Sequence, residues 1–175
     1  AIYASGEAGG DWCNRFVLFA DDEWGNQVYP SKPMESEHTE WMESICYQSL
    51  STYVKPEKFY LIDFPWPPGT TYESAHPEKP DARDAFLELW NEGMAALIFL
   101  GHGSANQITH EKVMLGDDPA SLENGARLPI SLFMSCDLSK FFVPGVDCIA
   151  EKVIYHPAGG SIASVGATGG TTYPG

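Results

Sequence analysis

Three short apolar runs organise this chain. Phe16-Val17-Leu18-Phe19-Ala20, Leu97-Ile98-Phe99-Leu100 and Ile130-Ser131-Leu132-Phe133-Met134 lack the strict alternation of a half-solvated strand. They read as strands buried on both faces, as in a parallel sheet. A fourth strand is expected over 58–64 and a last, small-residue strand over 161–166. Between them, apolar positions recur at helical spacing. Trp41, Met42, Ile45, Cys46 and Leu50 predict a helix over about 34–53. Pro80, with Asp81 and Asp84 in the first turn, Phe86, Leu89 and Trp90 on one face and Gly93 as a stop, predicts a second. A third is expected over 146–155, with Ile149, Val153 and Ile154 inward and Pro157 and Gly159-Gly160 closing it. A short helix is expected over 110–115. Strands alternating with helices imply a mostly parallel α/β sheet with right-handed crossovers and helices on both faces.

The strand ends carry the chemistry. In such a sheet, ligands sit outside the carboxyl ends of the strands. One central run ends in Gly101-His102-Gly103, another in Ser135-Cys136, and the first in Asp21-Asp22-Glu23. Taken alone, Cys136 reads as a packed thiol and His102 as a structural histidine; their matched placement favours one shared pocket. An imidazole beside a thiol can take its proton as the sulfur attacks a carbonyl, then return it to the leaving amine. The N–H groups of Gly103 and Cys136 are candidates for the oxyanion hole, and Gly103, lacking Cβ, permits close approach of a substrate.

Composition narrows the picture. The 175 residues, 43% hydrophobic and 13% aromatic, suffice for one well-buried core and not for two ordinary domains. With 24 acidic against 10 basic side chains, the formal charge of −14 excludes nucleic acid as a natural partner and leaves cationic substrates or plain solubility. No apolar stretch approaches the roughly 20 residues that a bilayer span needs. Cys13, Cys46, Cys136 and Cys148 form no CxxC pair, so a zinc site is not expected. Free thiols are the default, with one disulfide among Cys13, Cys46 and Cys148 left open for an oxidising compartment. His38, His76, His110 and His156 lack partners at metal-ligand spacing and read as helix-end or loop residues. The Gly-rich start, 1–11, and the loop-like end, 169–175, lead us to expect that residues 1–175 are one catalytic subdomain of a larger protein.

The ordered set Gly101-His102-Gly103-Ser104, Leu122-Glu123-Asn124, Leu128-Pro129, Ser135-Cys136, Ala150-Glu151 and Gly159-Gly160-Ser161-Ile162-Ala163 resembles the gingipain family of cysteine peptidases, in the caspase-like clan. The resemblance runs from Trp12 to about Thr168. It implies a caspase-like three-layer sandwich and a cysteine endopeptidase acting through a thioester acyl-enzyme, with Cys136 as nucleophile and His102 as general base and acid. It also implies an acidic residue after the first strand that orients the histidine, which matching places at Glu23. The alternative for Asp21, Asp22 and Glu23 is a solvated turn or a cation-binding cluster. In arginine-specific members a carboxylate before the following helix receives the basic P1 side chain. Its nearest counterparts are Glu35 and Glu37, and Thr168 is a further substrate-binding candidate.

Asp21-Asp22, His110-Glu111 and the run Cys136-Asp137-Leu138-Ser139-Lys140-Phe141 with Pro144 are similar to the PorU-like branch, the cell-surface sortases of type IX secretion. That branch implies transpeptidation, secretion-system partners and an extracellular or outer-membrane-surface location. Cys13, where that branch carries Arg, and Ala150, where it carries Gly, depart from the pattern. Glu151 is expected to be structural. The chemistry requires no cofactor, although Asp21 and Asp22 offer hard oxygen ligands to a structural calcium. The competing class is a non-catalytic caspase-like interaction module of a surface assembly.

Overall fold

In the computed structural model, residues 10–22, 37–50, 52–69 and 78–171 are described. Five parallel strands form the sheet: β1 (Arg15–Ala20), β2 (Lys55–Tyr60), β3 (Ala96–Leu100), β7 (Ile130–Met134) and β8 (Ala163–Gly166), in the order β2-β1-β3-β7-β8. Three two-residue strands, β4 (Gly103–Ser104), β5 (Gln107–Ile108) and β6 (Met114–Leu115), make a small antiparallel sheet directly after β3. The helices are α1 (Glu37–Ser49), α2 (Pro80–Glu92) and α3 (Ile149–Tyr155).

Alternation along the strands divides the core into two layers, because successive side chains in a strand point to opposite faces. Leu18, Ala20, Ile98 and Leu100 face Met42 of α1 in one cluster. Val17, Phe19, Leu97 and Phe99 face Ala82, Phe86 and Trp90 of α2 and Ile149 and Val153 of α3 in the other. Phe19 anchors the second layer, with ring centroids 4.9 Å from Phe59, 4.9 Å from Phe86 and 4.7 Å from Phe99. The expected three-layer α/β sandwich with helices on both faces is therefore the architecture.

Several local expectations are corrected. β2 occupies 55–60 rather than 58–64, because the apolar Leu61 and Ile62 fall in a 3-10 turn and the strand itself is a polar edge strand. Residues 110–115 are turns and the strand β6, not a helix. α3 begins at Ile149, where Glu151 Oε2 accepts the Cys148 N–H at 3.0 Å in a capping box, and Ile154 is exposed. Glu151 thus has the structural role expected of it. All four cysteines are free thiols.

Two segments of the family pattern prove to be architectural. Asn124 is fully buried; its Nδ2 donates to the Arg127 and Gly160 carbonyls, each at 2.9 Å, and its Oδ1 accepts the Gly160 N–H at 2.6 Å. Gly160 has φ +93°, and a Cβ there would strike the Val153 carbonyl, so only glycine fits. Asn124→Ala strands these buried partners and should cost about 2–4 kcal/mol. A urea melt measures the loss; an unchanged midpoint would refute the role.

Candidate active site

The strand order reverses direction beside β1, since β2 lies on one side of it and β3 on the other. A crevice opens at such a switch point, outside the carboxyl ends of the strands. Asp21 leaves β1 there and His102 leaves β3. Asp21 N–H donates to the Leu100 carbonyl at 3.0 Å, and its Oδ2 accepts the backbone N–H of His102 at 2.8 Å. Gly101 makes this approach feasible, because a Cβ at that position would collide with the Asp21 side chain.

Cys136 emerges beside the same crevice. β3 and β7 are adjacent and parallel, with Leu100 paired to Met134, and the Gly101 N–H donates to the Met134 carbonyl at 3.3 Å. His102 and Cys136 each lie two residues beyond that pair. Neighbouring strands run about 4.8 Å apart, so the two chains exit side by side at one level. The loops that follow touch: a Cβ on Gly103 would come 2.5 Å from Ser135 Oγ and 2.9 Å from Leu138 Cγ. His102 and Cys136 are both half-buried.

Two backbone donors face no ladder. Gly103 pairs with Ile108, and the Thr109 N–H donates to the His102 carbonyl at 3.0 Å. In an antiparallel pair this marks Gly103 and Ile108 as the non-hydrogen-bonded position, leaving the Gly103 N–H outside the β4–β5 ladder. The Cys136 N–H makes no backbone hydrogen bond among the described residues. Asp137, the next residue, has φ +57°, a bend that turns the chain sharply away from the thiol. The segment 167–171 lies along this loop: Asp137 N–H donates to Gly169, Ser139 N–H to Ala167, and Thr171 N–H to Cys136 Sγ at 3.2 Å. Thr168 is exposed on that segment.

Three histidines converge here. The His102 ring lies 5.4 Å from that of His38, nearly perpendicular to it, and 5.1 Å from that of His110. Burial, and secondarily the neighbouring His110, pushes His102 down to about 4. Burial, then His102, does the same to His38. His102 is therefore neutral near pH 7.

Beneath the crevice lies an acidic cluster, Asp21, Asp22 and Glu111, all buried. Asp21 and Asp22 are therefore no solvated turn. Burial raises Asp21 well above the usual carboxylate range, with Glu111 adding to the effect, and burial with Asp22 raises Glu111 to about 8. Lys79, also buried, donates to Asp22 Oδ2 at 2.5 Å and to the Leu61 carbonyl at 2.8 Å. One carboxylate oxygen from each of Asp21, Asp22 and Glu111 lies within 4.8 Å of the others, as does one ligand atom from each of Asp21, His38 and His102. Sequence spacing could not show these groupings, because the second set comes from three separate elements.

Glu23 and Glu35 lie outside the described residues. Glu37 is exposed in the first turn of α1, one residue before His38. The sequence reads His38 and His110 as helix or loop residues, and Asp21 as a candidate cation ligand rather than as the acceptor of the His102 N–H. Only Asp21 had a signal, the ending of β1 and β3 in polar groups at neighbouring positions. His156 is structural, its Nε2 2.7 Å from the Leu122 carbonyl. No helix among the described residues is long and apolar enough to cross a membrane.

Among solved structures, the chain is similar to the Arg-specific cysteine proteinase gingipain R (RgpB), with a TM-score of 0.64 and 20% identity over 93% of this chain and 34% of that one. It is also similar to the complex of Porphyromonas gingivalis RgpB pro- and mature domains (TM-score 0.58, 19% identity, 93% and 34%) and to a structure described only as a protease (TM-score 0.61, 15%, 98% and 32%). It spans about a third of the length of each. No curated protein matches. At these identities the likeness establishes the fold, the caspase-like arrangement of the gingipains. The sequence itself matches Peptidase family C25 over residues 1–174, so the chain belongs to peptidase family C25, the gingipain family.

Proposed function

We propose that this chain carries the catalytic centre of a cysteine endopeptidase. The observation that supports it best is the register of β3 and β7, which sends His102 and Cys136 out of adjacent strands at one level. Neutral His102 takes the Sγ proton as sulfur attacks the scissile carbonyl. The Gly103 and Cys136 N–H groups receive the developing oxyanion. The imidazolium then protonates the leaving amine, and a thioester remains on Cys136. Water or an amine resolves it and regenerates the thiol. Glu23 is the candidate for orienting the imidazole in this reading, and Glu37, Glu35 and Thr168 are the candidates for binding a polypeptide whose P1 side chain is basic, in keeping with the acidic balance of the chain.

The similarity of Cys136 to Phe141 to the PorU-like branch supports an amine as acceptor, and with it a sortase at the cell surface working with secretion-system partners. No cofactor enters these steps. A calcium on Asp21, Asp22 and Glu111 would serve structure alone, and would compete with Lys79 for Asp22.

Peptide cleavage followed from pH 3 to 9 tests the assignment. Because His102 is held down to about 4, its base form persists well below the ordinary 6.5. We expect the acid limb of kcat/KM near pH 4, reporting the free enzyme. A limb near 6.5 would contradict the buried, neutral imidazole. Adding an amine acceptor should divert product from acid to amide in a sortase and leave a hydrolase's product unchanged.

A further inference from the structure

The switch-point crevice holds more donor atoms than the acyl-transfer steps use. Asp21 comes from the end of β1, His102 from the end of β3 and His38 from the first turn of α1, and one ligand atom of each lies within 4.8 Å of the others. Asp21 and His38 are buried, at 0% and 5% exposure, and His102 is half-buried. Asp21 Oδ1 accepts no hydrogen bond among the described residues, although it is sealed from water. A buried oxygen left in that state is costly unless a cation or donor reaches it. Asp21 Oδ2 is already fixed by the His102 N–H, which orients the carboxylate as an outer contact orients a metal ligand.

We propose that Asp21, His38 and His102 form a binding site for a divalent transition-metal ion, zinc being the best match, and that its occupation switches the peptidase off by capturing the catalytic imidazole. Two imidazoles and one carboxylate are a borderline donor set suited to zinc, with a fourth position open to water. Donor atoms around tetrahedral zinc stand roughly 3.3 Å apart, given bonds near 2.0–2.1 Å, so modest side-chain rotations close the set. The all-oxygen alternative, Asp21 with Asp22 and Glu111, is poorer for such an ion because the Lys79 ammonium occupies Asp22. Binding replaces any proton on Asp21 and uses the imidazole lone pair that would otherwise accept the Cys136 proton. No bond to sulfur forms. The inhibitory consequence rests on the function proposed above, whereas the binding itself does not.

The test keeps the two separable by reading binding directly. Chelator-stripped protein is titrated with zinc by calorimetry, and with cobalt(II) by visible spectroscopy. One equivalent should bind with d–d bands and no sulfur-to-cobalt charge transfer. Binding should persist in Cys136→Ala within about threefold and weaken by about 100-fold or more in His38→Gln. Zinc should inhibit peptide cleavage by the wild type with a midpoint that tracks the binding constant. A thiolate charge-transfer band, loss of binding in Cys136→Ala, or unchanged binding in a folded His38→Gln would each overturn the site. The wild-type cobalt spectrum decides the matter even if the His38 variant fails to fold. A chain that binds zinc in this way yet cleaves no peptide in the metal-free state would leave the site standing and overturn the peptidase reading instead.

Discussion

Cys136→Ala should lower kcat/KM for peptide cleavage by about 10⁴-fold or more, His102→Ala should do nearly the same, and the double variant should be little worse than either single one. Groups that act as a unit behave this way, because removing either partner leaves only binding and the oxyanion donors. Cys13→Ala and Cys46→Ala should retain wild-type rates, since both lie away from the carboxyl ends of the sheet, in the turn before β1 and in the body of α1. The comparison is made by steady-state kinetics on one peptide with all variants checked for fold. Equal losses on removing Cys13 or Cys46 would show that the effect is structural rather than chemical.

The second large effect lies beneath the site. Lys79→Met should destabilise the fold by about 3–5 kcal/mol, because it leaves the buried Asp22 carboxylate without its cation. Lys79 is 2% exposed and holds Asp22 and the Leu61 carbonyl while its ammonium sits 4.3 Å from the Trp66 ring centroid. Total stabilities of about 5–15 kcal/mol make such a loss conspicuous. Glu111 has the opposite sensitivity. Its folded value, about 8, lies above the ordinary 4.5. The native state therefore holds a proton that the unfolded chain has released, and stability drops as pH rises through that window. Glu111→Gln removes the penalty, so its stability relative to wild type should grow between pH 5 and 9. Urea melts at both pH values check the pair. A Lys79→Met midpoint within error of wild type, or a Glu111→Gln difference that shrinks with pH, would contradict the charge assignment.

What could be read from the chain follows physical lines. β1, β3 and β7 are doubly buried, so their composition alone reveals them, and the residues ending them name the chemistry. The edge strand β2 is partly solvated, with Lys55, Pro56 and Lys58 exposed, and its pattern hides it behind the apolar turn that follows. The 110–115 segment has helical spacing over less than two turns, too short for periodicity to decide. His38 illustrates the harder limit. It sits one residue into a polar helix start, the pattern of a solvated first turn, yet the packing of α1 against β1 carries it onto His102. Asn124 and Gly160 were recognisable as family residues, but their mutual hydrogen bonds depend on a tertiary contact between loops 36 positions apart. Side-chain convergence across elements is a property of the sheet order, which no local window contains.

Covalent capture shows whether one imidazole activates one thiol for attack on a peptide carbonyl. Intact protein is exposed to a peptidyl electrophile with a basic P1 residue, and the adduct is mapped by mass spectrometry in wild type and His102→Ala. A single adduct on Cys136 is expected in the wild type, with a rate of labelling at least ~100-fold lower without the imidazole. Labelling spread over Cys13 and Cys46, or a Cys136 rate indifferent to His102, would contradict that activation and favour a caspase-like module that binds without cutting.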